Sequence, residues 1–319
     1  MRIAIVGGVQ GRPAGVADRA HEPLYSEGRV VILDTEDGAE RVALSHRMAN
    51  APDTVGHAFK SATVDATGFA IPSEREVLRW RPGAPPSVAS HPWFSDLHHA
   101  LPGDGGVWLA ASALDAVLFA RDDGSVDYHP LDRRARPPEG DVRFAPRTRR
   151  WVHPNHLTQI DGEVWATRFH QRDLARVADP SDVIDVGGER LHDGRAIDGH
   201  LWFTEIDGHV VVVDPGLRRV VRRIDVQPER VAPGGWCRGL AVVGNDLFVA
   251  FTRLRATRWR AHLAWTRRLL SGTGGASTAP SRIERFDIRT GARTGIWPVT
   301  QLDALFSLHA EPDLPAGLT

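Results

Sequence analysis

The chain has 319 residues, of which 42% are hydrophobic and 25% are charged, and its formal net charge is −1. This nearly neutral balance gives no electrostatic basis for coating nucleic acid or an anionic membrane. Cys237 is the only cysteine, which excludes an internal disulfide and a cysteine-rich zinc site. The 15 histidines are therefore the main compositional hint of chemistry.

The first eight residues, Met-Arg-Ile-Ala-Ile-Val-Gly-Gly, begin like the first strand of a dinucleotide-binding fold. That fold needs a helix directly after the glycines, whereas Arg12-Pro13 follow here with no helical face. We therefore expect no nucleotide cofactor. The apolar segment is too short for a signal peptide, and the sequence has no run of 18 apolar residues. These features predict a cytoplasmic protein without a membrane partner.

A repeated pattern then runs through the chain, in which a tight turn precedes an apolar–aromatic strand. Its aromatic residues are Trp108, Trp165, Trp202 and Phe248, at spacings of 57, 37 and 46 residues. A weaker fifth copy contains Phe69. These spacings bracket the roughly 40–50 residues of one propeller blade. The Asp-Gly and Gly-Asn turns accept the positive φ that a two-residue hairpin needs.

Further strands follow each aromatic strand, for example over residues 116–120, 209–213 and 220–226. Four short antiparallel strands make one blade. The blades are predicted to begin near these residues: His57, His98, His153, Leu191, Cys237 and Phe306.

The blade that begins near Phe306 has room for only one strand. Residues 2–6, 29–34 and 41–45 supply the three strands that it lacks. We predict an all-β fold, a six-bladed β-propeller over residues 1–319, closed by one C-terminal and three N-terminal strands. The alternatives are a β-sandwich and a seven-bladed ring.

Polar side chains recur where the predicted blades begin, at one mouth of the central channel. They belong to these residues: His57, His98, His99, Asn155, His156, His192, Asp193, Arg238 and His309. Imidazoles that converge on one axis can bind a divalent metal, and the predicted ligands are His99, His156 and His192.

The same residues also suit metal-free chemistry. In a catalytic site, His156 and His192 serve as acid and base, and Arg238 holds a substrate anion. The predicted substrate-binding residues are then His57, Asn155, Asp193 and His309. The alternative is that all of these side chains bond to strand ends and fill a wet, non-functional channel.

A second set of polar residues follows the aromatic strands at equivalent positions: Arg168, Glu205 and Arg253. They either point into the channel as further substrate-binding residues or pair with one another. Beyond them, residues 254–281 interrupt the blade pattern with arginines, tryptophans and a Gly/Ser/Thr-rich stretch. This insertion is interpreted as a lid over the mouth, with a homodimer contact, a solvated excursion and a membrane or nucleic-acid segment as alternatives.

Several segments resemble a bacterial family of six-bladed propellers that is classed as a domain of unknown function. They are Cys237-Arg238-Gly239-Leu240-Ala241, Phe248-Val249-Ala250-Phe251-Thr252-Arg253-Leu254-Arg255, His156-Leu157 and residues 308–317. The insertion and the additional histidines depart from that family. In architecture the chain is more distantly similar to gluconolactonase-like and strictosidine synthase-like propellers. Their calcium-binding carboxylates are not evident here.

Two functions remain open at this point. The first is an enzyme acting on a small molecule as a lyase, hydrolase or isomerase, with a site at the channel mouth. The second is a binding or scaffold propeller that presents its rim to a protein. A pocket ringed by imidazoles favours the enzyme, whereas a channel filled with side chains favours the scaffold.

Overall fold

The computed structural model describes residues 1–11, 25–52, 55–145, 151–227, 235–253 and 279–318. Three strands open the chain: β1 (Arg2–Gln10), β2 (Tyr25–Asp34) and β3 (Glu40–His46). The first complete blade consists of β4 (Thr63–Asp65), β5 (Gly68–Pro72), β6 (Val77–Trp80) and β7 (Ser87–Ala89). The second consists of β8 (Leu97–Gly103), β9 (Gly106–Ala111), β10 (Ala116–Arg121) and β11 (Val126–Pro130), with a 3₁₀ turn at Ser112–Leu114.

The remaining strands repeat this order. The third blade consists of β12 (Pro154–Ile160), β13 (Glu163–Arg168), β14 (Asp173–Arg176) and β15 (Val183–Asp185). The fourth consists of β16 (Leu191–Ile197), β17 (His200–Glu205), β18 (His209–Asp214) and β19 (Arg219–Asp225). The fifth consists of β20 (Trp236–Val243), β21 (Asp246–Thr252), β22 (Arg282–Asp287) and β23 (Arg293–Pro298), and β24 (Ala304–Ala310) is the last strand.

The sixth blade closes the ring. Its strand order is β24-β1-β2-β3, and the antiparallel register pairs Ile3 with Ala310 and Gly8 with Ala304. The described residues thus form six four-stranded sheets, which confirms the predicted six-bladed propeller and its closure by one C-terminal and three N-terminal strands. No helix in this part of the chain is long and apolar enough to cross a bilayer.

Two of the four hairpin turns before the aromatic strands have the double positive-φ conformation that Asp-Gly predicts, whereas in the other two only the glycine, Gly105 or Gly244, has a positive φ. Asp161 and Gly162 have φ values of 51° and 80°, and Asp198 and Gly199 have values of 48° and 75°. Two successive positive φ values define a type I′ turn, whose twist matches that of the flanking strands. Asp-Gly is favoured there because both residues tolerate this conformation.

The hydrophobic core lies between neighbouring blades. In one cluster, Trp165 and Leu174 of the third blade pack against Phe203 and Val211 of the fourth. A second cluster joins the closing blade to the fifth through Ile5, Leu308 and Phe248. Since each sheet buries one face against each neighbour, the ring holds together only when every blade is present.

The first blade begins later than predicted. Its first strand starts at Thr63, whereas His57 lies in a buried segment that is not a strand. Its backbone N–H groups donate to two different blades instead. The N–H of Phe59 donates to the backbone oxygen of Gly7 in the closing blade, and the N–H of Lys60 donates to that of Pro72 in the first blade. The segment therefore bridges two blades at the mouth.

A substitution at Leu308 tests the closure of the ring directly, because this side chain is fully buried on β24 within the core shared with the fifth blade. We expect Leu308→Ala to lower the free energy of unfolding by about 2–5 kcal/mol, through lost burial and the cavity left behind. The control is Ile296→Ala on β23, where the side chain is 52% exposed and the expected change is within about 0.5 kcal/mol. Urea unfolding measures both, and equal costs would contradict this closure.

Candidate functional site

The mouth of the channel is the end at which the first strand of each blade begins. Five of these first strands carry a register shift there, between Leu97 and His99, Pro154 and Leu157, Leu191 and Gly194, Cys237 and Leu240, and Leu305 and Ser307. Such β-bulges redirect side chains and are common next to active sites. Here they separate neighbouring side chains into two groups, which we call the mouth layer and the channel plug.

The mouth layer consists of Lys60, His98, His153, His192, Arg238 and Phe306. The imidazoles of His98 and His153 have ring centroids 4.7 Å apart, and those of His98 and His192 are 6.5 Å apart. The ring centroids of Phe306 and His192 are 6.0 Å apart, and the Arg238 guanidinium carbon lies 4.4 Å from the Phe306 centroid. Side chains from separate blades thus surround one phenyl ring.

Lys60 approaches the same ring from the segment that precedes β4. Its Nζ lies 5.1 Å from the centroid of Phe306 and 5.6 Å from that of Tyr25, and 3.7 Å from Oε1 of Glu74. The side chain is 9% exposed. Two cationic groups, Lys60 and Arg238, therefore contact Phe306, where cation–π attraction favours a positive charge.

The channel plug lies below and consists of His99, His156, Asp193, Arg195, Ser307 and His309. The centroids of His99 and His156 are 4.1 Å apart, and Nδ1 of His156 lies 3.7 Å from Oδ1 of Asp193. The backbone N–H of Leu157 donates to Nδ1 of His99 at 3.4 Å. These contacts fill the channel with polar side chains, although Nδ1 of His156 and Oδ2 of Asp193 are buried without a hydrogen-bond partner among the described residues.

Arg195 spans the plug from the fourth blade to the closing blade. One guanidinium nitrogen lies 3.3 Å from Oδ1 of Asp193. The other donates to Oγ of Ser307 at 2.8 Å and lies 3.3 Å from Nε2 of His309. Since the fourth and sixth blades are not neighbours, this side chain links them across the axis.

Burial dominates the electrostatics of both layers. It lowers the pKa of His99 to about 3, and it lowers the pKa values of His156, His192 and His309 well below the ordinary imidazole value. For His192, the charge of Arg238 adds to this effect, followed by His98, His153 and Lys60. All four imidazoles are thus neutral near pH 7.

The predicted catalytic residues divide between the layers. His192 and Arg238 belong to the mouth layer, whereas His156 belongs to the plug, and no contact joins His156 to His192 within the described structure. Of the predicted substrate-binding residues, Asp193 and His309 lie in the plug. Asn155 donates from Nδ2 to the backbone oxygen of Leu191 at 3.1 Å, so it joins two blades.

The other predicted substrate-binding residues lie apart from both layers. His57 is buried beside the first blade, where its Nδ1 accepts from the backbone N–H of Met48 at 3.3 Å. Ion pairs outside the two layers hold the three residues that follow the aromatic strands: Arg168 with Asp173, Glu205 with Arg223, and Arg253 with Asp303. These three residues do not pair with one another.

The predicted metal ligands His99, His156 and His192 do not converge on one point, since His192 contacts the mouth-layer residue His98 instead. Among the described residues, the group whose ligand atoms lie within 4.8 Å of one another is Glu205, Asp207 and His209. In that group Glu205 is bound by Arg223, and Nδ1 of His209 lies 3.0 Å from Asp207. The geometry does not fit the predicted metal site, and we derive no step through a metal.

Three residues of these layers were not among the predicted site residues: Lys60, Arg195 and Phe306. A usable indication existed for Lys60, because it is the only lysine in a chain with 39 lysine and arginine residues. Arg195 and Phe306 carry no comparable pattern. The predicted insertion lies outside the described residues except for 279–281, and its interpretations as a lid or a homodimer contact stay predictions.

Comparisons with solved structures support the architecture. The chain is similar to a structure from a nidogen/laminin complex, with a TM-score of 0.56 and 10% identity over 96% of this chain and 97% of that one. It is also similar to a 6-phosphogluconolactonase-like protein from Bacteroides fragilis NCTC 9343, with a TM-score of 0.54 and 10% identity over 93% of this chain and 82% of that one. A third similar structure is a streptogramin B lyase, with a TM-score of 0.52 and 12% identity over 88% of this chain and 83% of that one.

At sequence identities this low, the similarity shows only that these proteins share the fold of this chain. No protein-family model matches the chain, and no curated protein matches it in sequence. The resemblance to a particular bacterial family is therefore not confirmed. The structural neighbours are β-propellers, and some of them are named as enzymes.

Proposed function

We propose that the protein is an enzyme that acts on a small anionic molecule at the mouth layer. The observation that carries this proposal is the convergence of His98, His192 and Arg238, from three different blades, beside Phe306. A scaffold needs no such convergence of groups that titrate or bind anions. A buried imidazole with a lowered pKa, next to a guanidinium and a second imidazole, is typical of acid–base sites.

His192 is the proton acceptor in this proposal. Burial and the neighbouring charge of Arg238 lower its pKa, so its imidazole is neutral near pH 7, which is the protonation state that a general base requires. His98 is the matching proton donor, because Nε2 lies 3.4 Å from Oδ1 of Asp96, a carboxylate that orients the ring. Arg238 holds an anionic group of the substrate.

The channel plug forms the floor of this site rather than part of the reaction. Its side chains bond to one another, and the ring of His156 is buried between His99 and Phe203. The acid–base role therefore passes from the pair His156 and His192 to the pair His98 and His192. The reaction class remains a lyase, hydrolase or isomerase, each of which needs proton transfer at one carbon or oxygen atom.

Turnover of a panel of anionic substrates tests this function. The panel contains phosphate monoesters, carboxylate esters, phosphorylated sugar lactones and substrates for β-elimination. For any substrate that is turned over, we expect His192→Gln to lower kcat at least about 100-fold, the usual contribution of a general base. Arg238→Met should mainly raise KM, since it removes binding of the anion.

Matched controls lie at the opposite end of the propeller. His200→Gln changes an imidazole at the start of β17 that is 41% exposed, and Arg289→Met changes a guanidinium that is 77% exposed. Both should retain full activity. The proposal fails if His192→Gln and Arg238→Met turn over such a substrate as well as these controls do.

One observation favours the scaffold function. The channel is filled at the level of His99, His156 and His309, as expected for a propeller that binds partners on its rim. In that case the panel gives no turnover, and His192→Gln and Arg238→Met weaken capture of a protein partner instead. The convergence at the mouth layer leads us to favour the enzyme.

A further inference from the structure

Lys60 occupies an unusual position for the only lysine of the chain. Apart from Lys60, the permanently cationic side chains are all arginines. Most of the arginines with described contacts lie on outer surfaces or form ion pairs. Lys60 is instead 9% exposed and lies in the mouth layer. An ammonium is a compact, strongly hydrated charge that is costly to bury, so its burial calls for a compensating contact.

The described residues supply only part of that compensation. They give Nζ two aromatic faces, Tyr25 and Phe306, and one carboxylate oxygen of Glu74 at 3.7 Å, which is beyond hydrogen-bonding distance. Glu74 is shared, because its other oxygen accepts from Arg75 at 3.1 Å. The three donors of the ammonium therefore lack a hydrogen-bond acceptor within the described structure.

Arg238 lies against the same phenyl ring. Its guanidinium carbon is 4.4 Å from the Phe306 centroid, against 5.1 Å for Nζ of Lys60. The charges of both residues also act on His192. Three carboxylates of the described residues near this layer have cationic or imidazole partners: Glu74 contacts Arg75 and Lys60, Glu76 contacts His46, and Asp96 contacts His98.

We propose that Lys60 and Arg238 form a two-point site for a dianionic ligand, with one anionic group on each cation. This inference rests on the proposed function, whose substrate class it narrows to small molecules with two separated anionic groups, such as dicarboxylates or phosphorylated acids. An oxygen of the ligand then supplies the acceptor that the Lys60 ammonium lacks. Phe306 sets the spacing between the two cations, because both contact its ring.

The chain offers a clean chemical test, because its only side-chain amine is Lys60 and its α-amino group, at Met1, serves as an internal reference. In reductive alkylation, the amine nitrogen attacks an aldehyde carbon, water leaves, and cyanoborohydride delivers a hydride to the resulting imine. The product is a secondary amine that mass spectrometry of the two peptides quantifies. Glyoxylate is the anionic aldehyde, and acetaldehyde is its neutral counterpart.

We expect the Lys60-to-Met1 labelling ratio to be at least about tenfold higher with glyoxylate than with acetaldehyde, as one charged contact would give. Arg238→Met should remove most of that preference, whereas Arg289→Met should retain it. Succinate should protect Lys60 better than acetate at equal ionic strength. Equal ratios for the two aldehydes, equal protection by succinate and acetate, or labelling of Met1 alone would each overturn the inference.

This experiment separates the inference from the proposed function. If Lys60 is labelled and protected as expected while His192→Gln has no effect on turnover, the dianion site stands and the enzyme proposal fails. If turnover depends on His192 while Lys60→Met has unchanged KM and succinate gives no protection, the enzyme proposal stands and the two-point site fails. Labelling uses the unmodified chain, so it does not depend on whether a variant folds.

Discussion

Lowering the pH from 7 to 5 is expected to lower the free energy of unfolding by several kcal/mol, a large part of the whole stability of a typical domain. The cause is the set of buried imidazoles whose pKa values are lowered: His99, His156, His192 and His309. The unfolded chain binds protons at these histidines near pH 6.5, whereas the native state does not. Each imidazole therefore costs about 2 kcal/mol at pH 5.

Asp193 opposes this trend. Burial raises its pKa to about 6, so the native carboxyl takes up a proton between pH 7 and 5 that the unfolded chain does not bind. This stabilises the native state by about 1 kcal/mol at pH 5, which is too little to offset the destabilisation by four imidazoles. The signs are therefore opposite for the two kinds of group, and the histidines prevail.

Urea unfolding, followed by tryptophan fluorescence at pH 7, 6 and 5, measures this loss. His156→Gln should reduce the difference between pH 7 and pH 5 by about 2 kcal/mol, because one imidazole is removed from the plug. His200→Gln, which changes a 41% exposed side chain, should leave the difference unchanged. A free energy of unfolding that stays constant from pH 7 to 5 would show that these histidines are not buried as described.

The sequence predicted the fold well because its determinants are local. A type I′ turn is encoded by two residues such as Asp161 and Gly162, and the strand that follows is marked by an aromatic residue such as Trp165. Counting these units also revealed that the last blade is incomplete. Since an unpaired strand edge is unfavourable, the N-terminal strands were the available partners, and β24 pairs with β1 as predicted.

The two layers of the site were not predictable in the same way. His98 and His99 are adjacent in sequence, yet the first contacts His192 and the second contacts His156. Alternation along a strand separates neighbours, but a bulge changes which one faces the axis. The register shifts at Pro154–Leu157 and Leu191–Gly194 have no distinct sequence pattern, so the sequence alone placed His156 and His192 in one group.

Lys60 was missed for a different reason. It lies in the segment that precedes β4, where backbone N–H groups bond to two different blades instead of one strand partner. No periodicity marks such a segment. Its place against Tyr25 and Phe306 depends on the closing blade, whose strands come from the two ends of the chain.

Arg195→Met is expected to lower the free energy of unfolding by about 3–5 kcal/mol at pH 8, the usual cost of breaking a buried ion pair on one side. Arg195 pairs with Asp193 and also bonds to Ser307 and His309 on the closing blade. Removing its charge leaves the Asp193 carboxylate, whose side chain is 2% exposed, without its cation. The substitution thus weakens both the plug and the closure of the ring.

A double-mutant cycle separates these two contributions. Arg195→Met combined with Asp193→Asn should cost less than the sum of the single variants by at least about 1 kcal/mol, because no uncompensated charge remains. The cost of Arg195→Met should also fall between pH 8 and pH 5, since the Asp193 carboxyl then accepts a proton and becomes neutral.

The matched control for this cycle is Arg218→Met, which breaks an ion pair with Asp182 in which the arginine side chain is 45% exposed. Solvent screening limits its expected cost to about 0–1 kcal/mol. Chemical denaturation at pH 8 compares the two arginines directly. Equal costs for Arg195→Met and Arg218→Met would mean that the plug does not bind the fourth and sixth blades together, and that closure depends on β24 pairing alone.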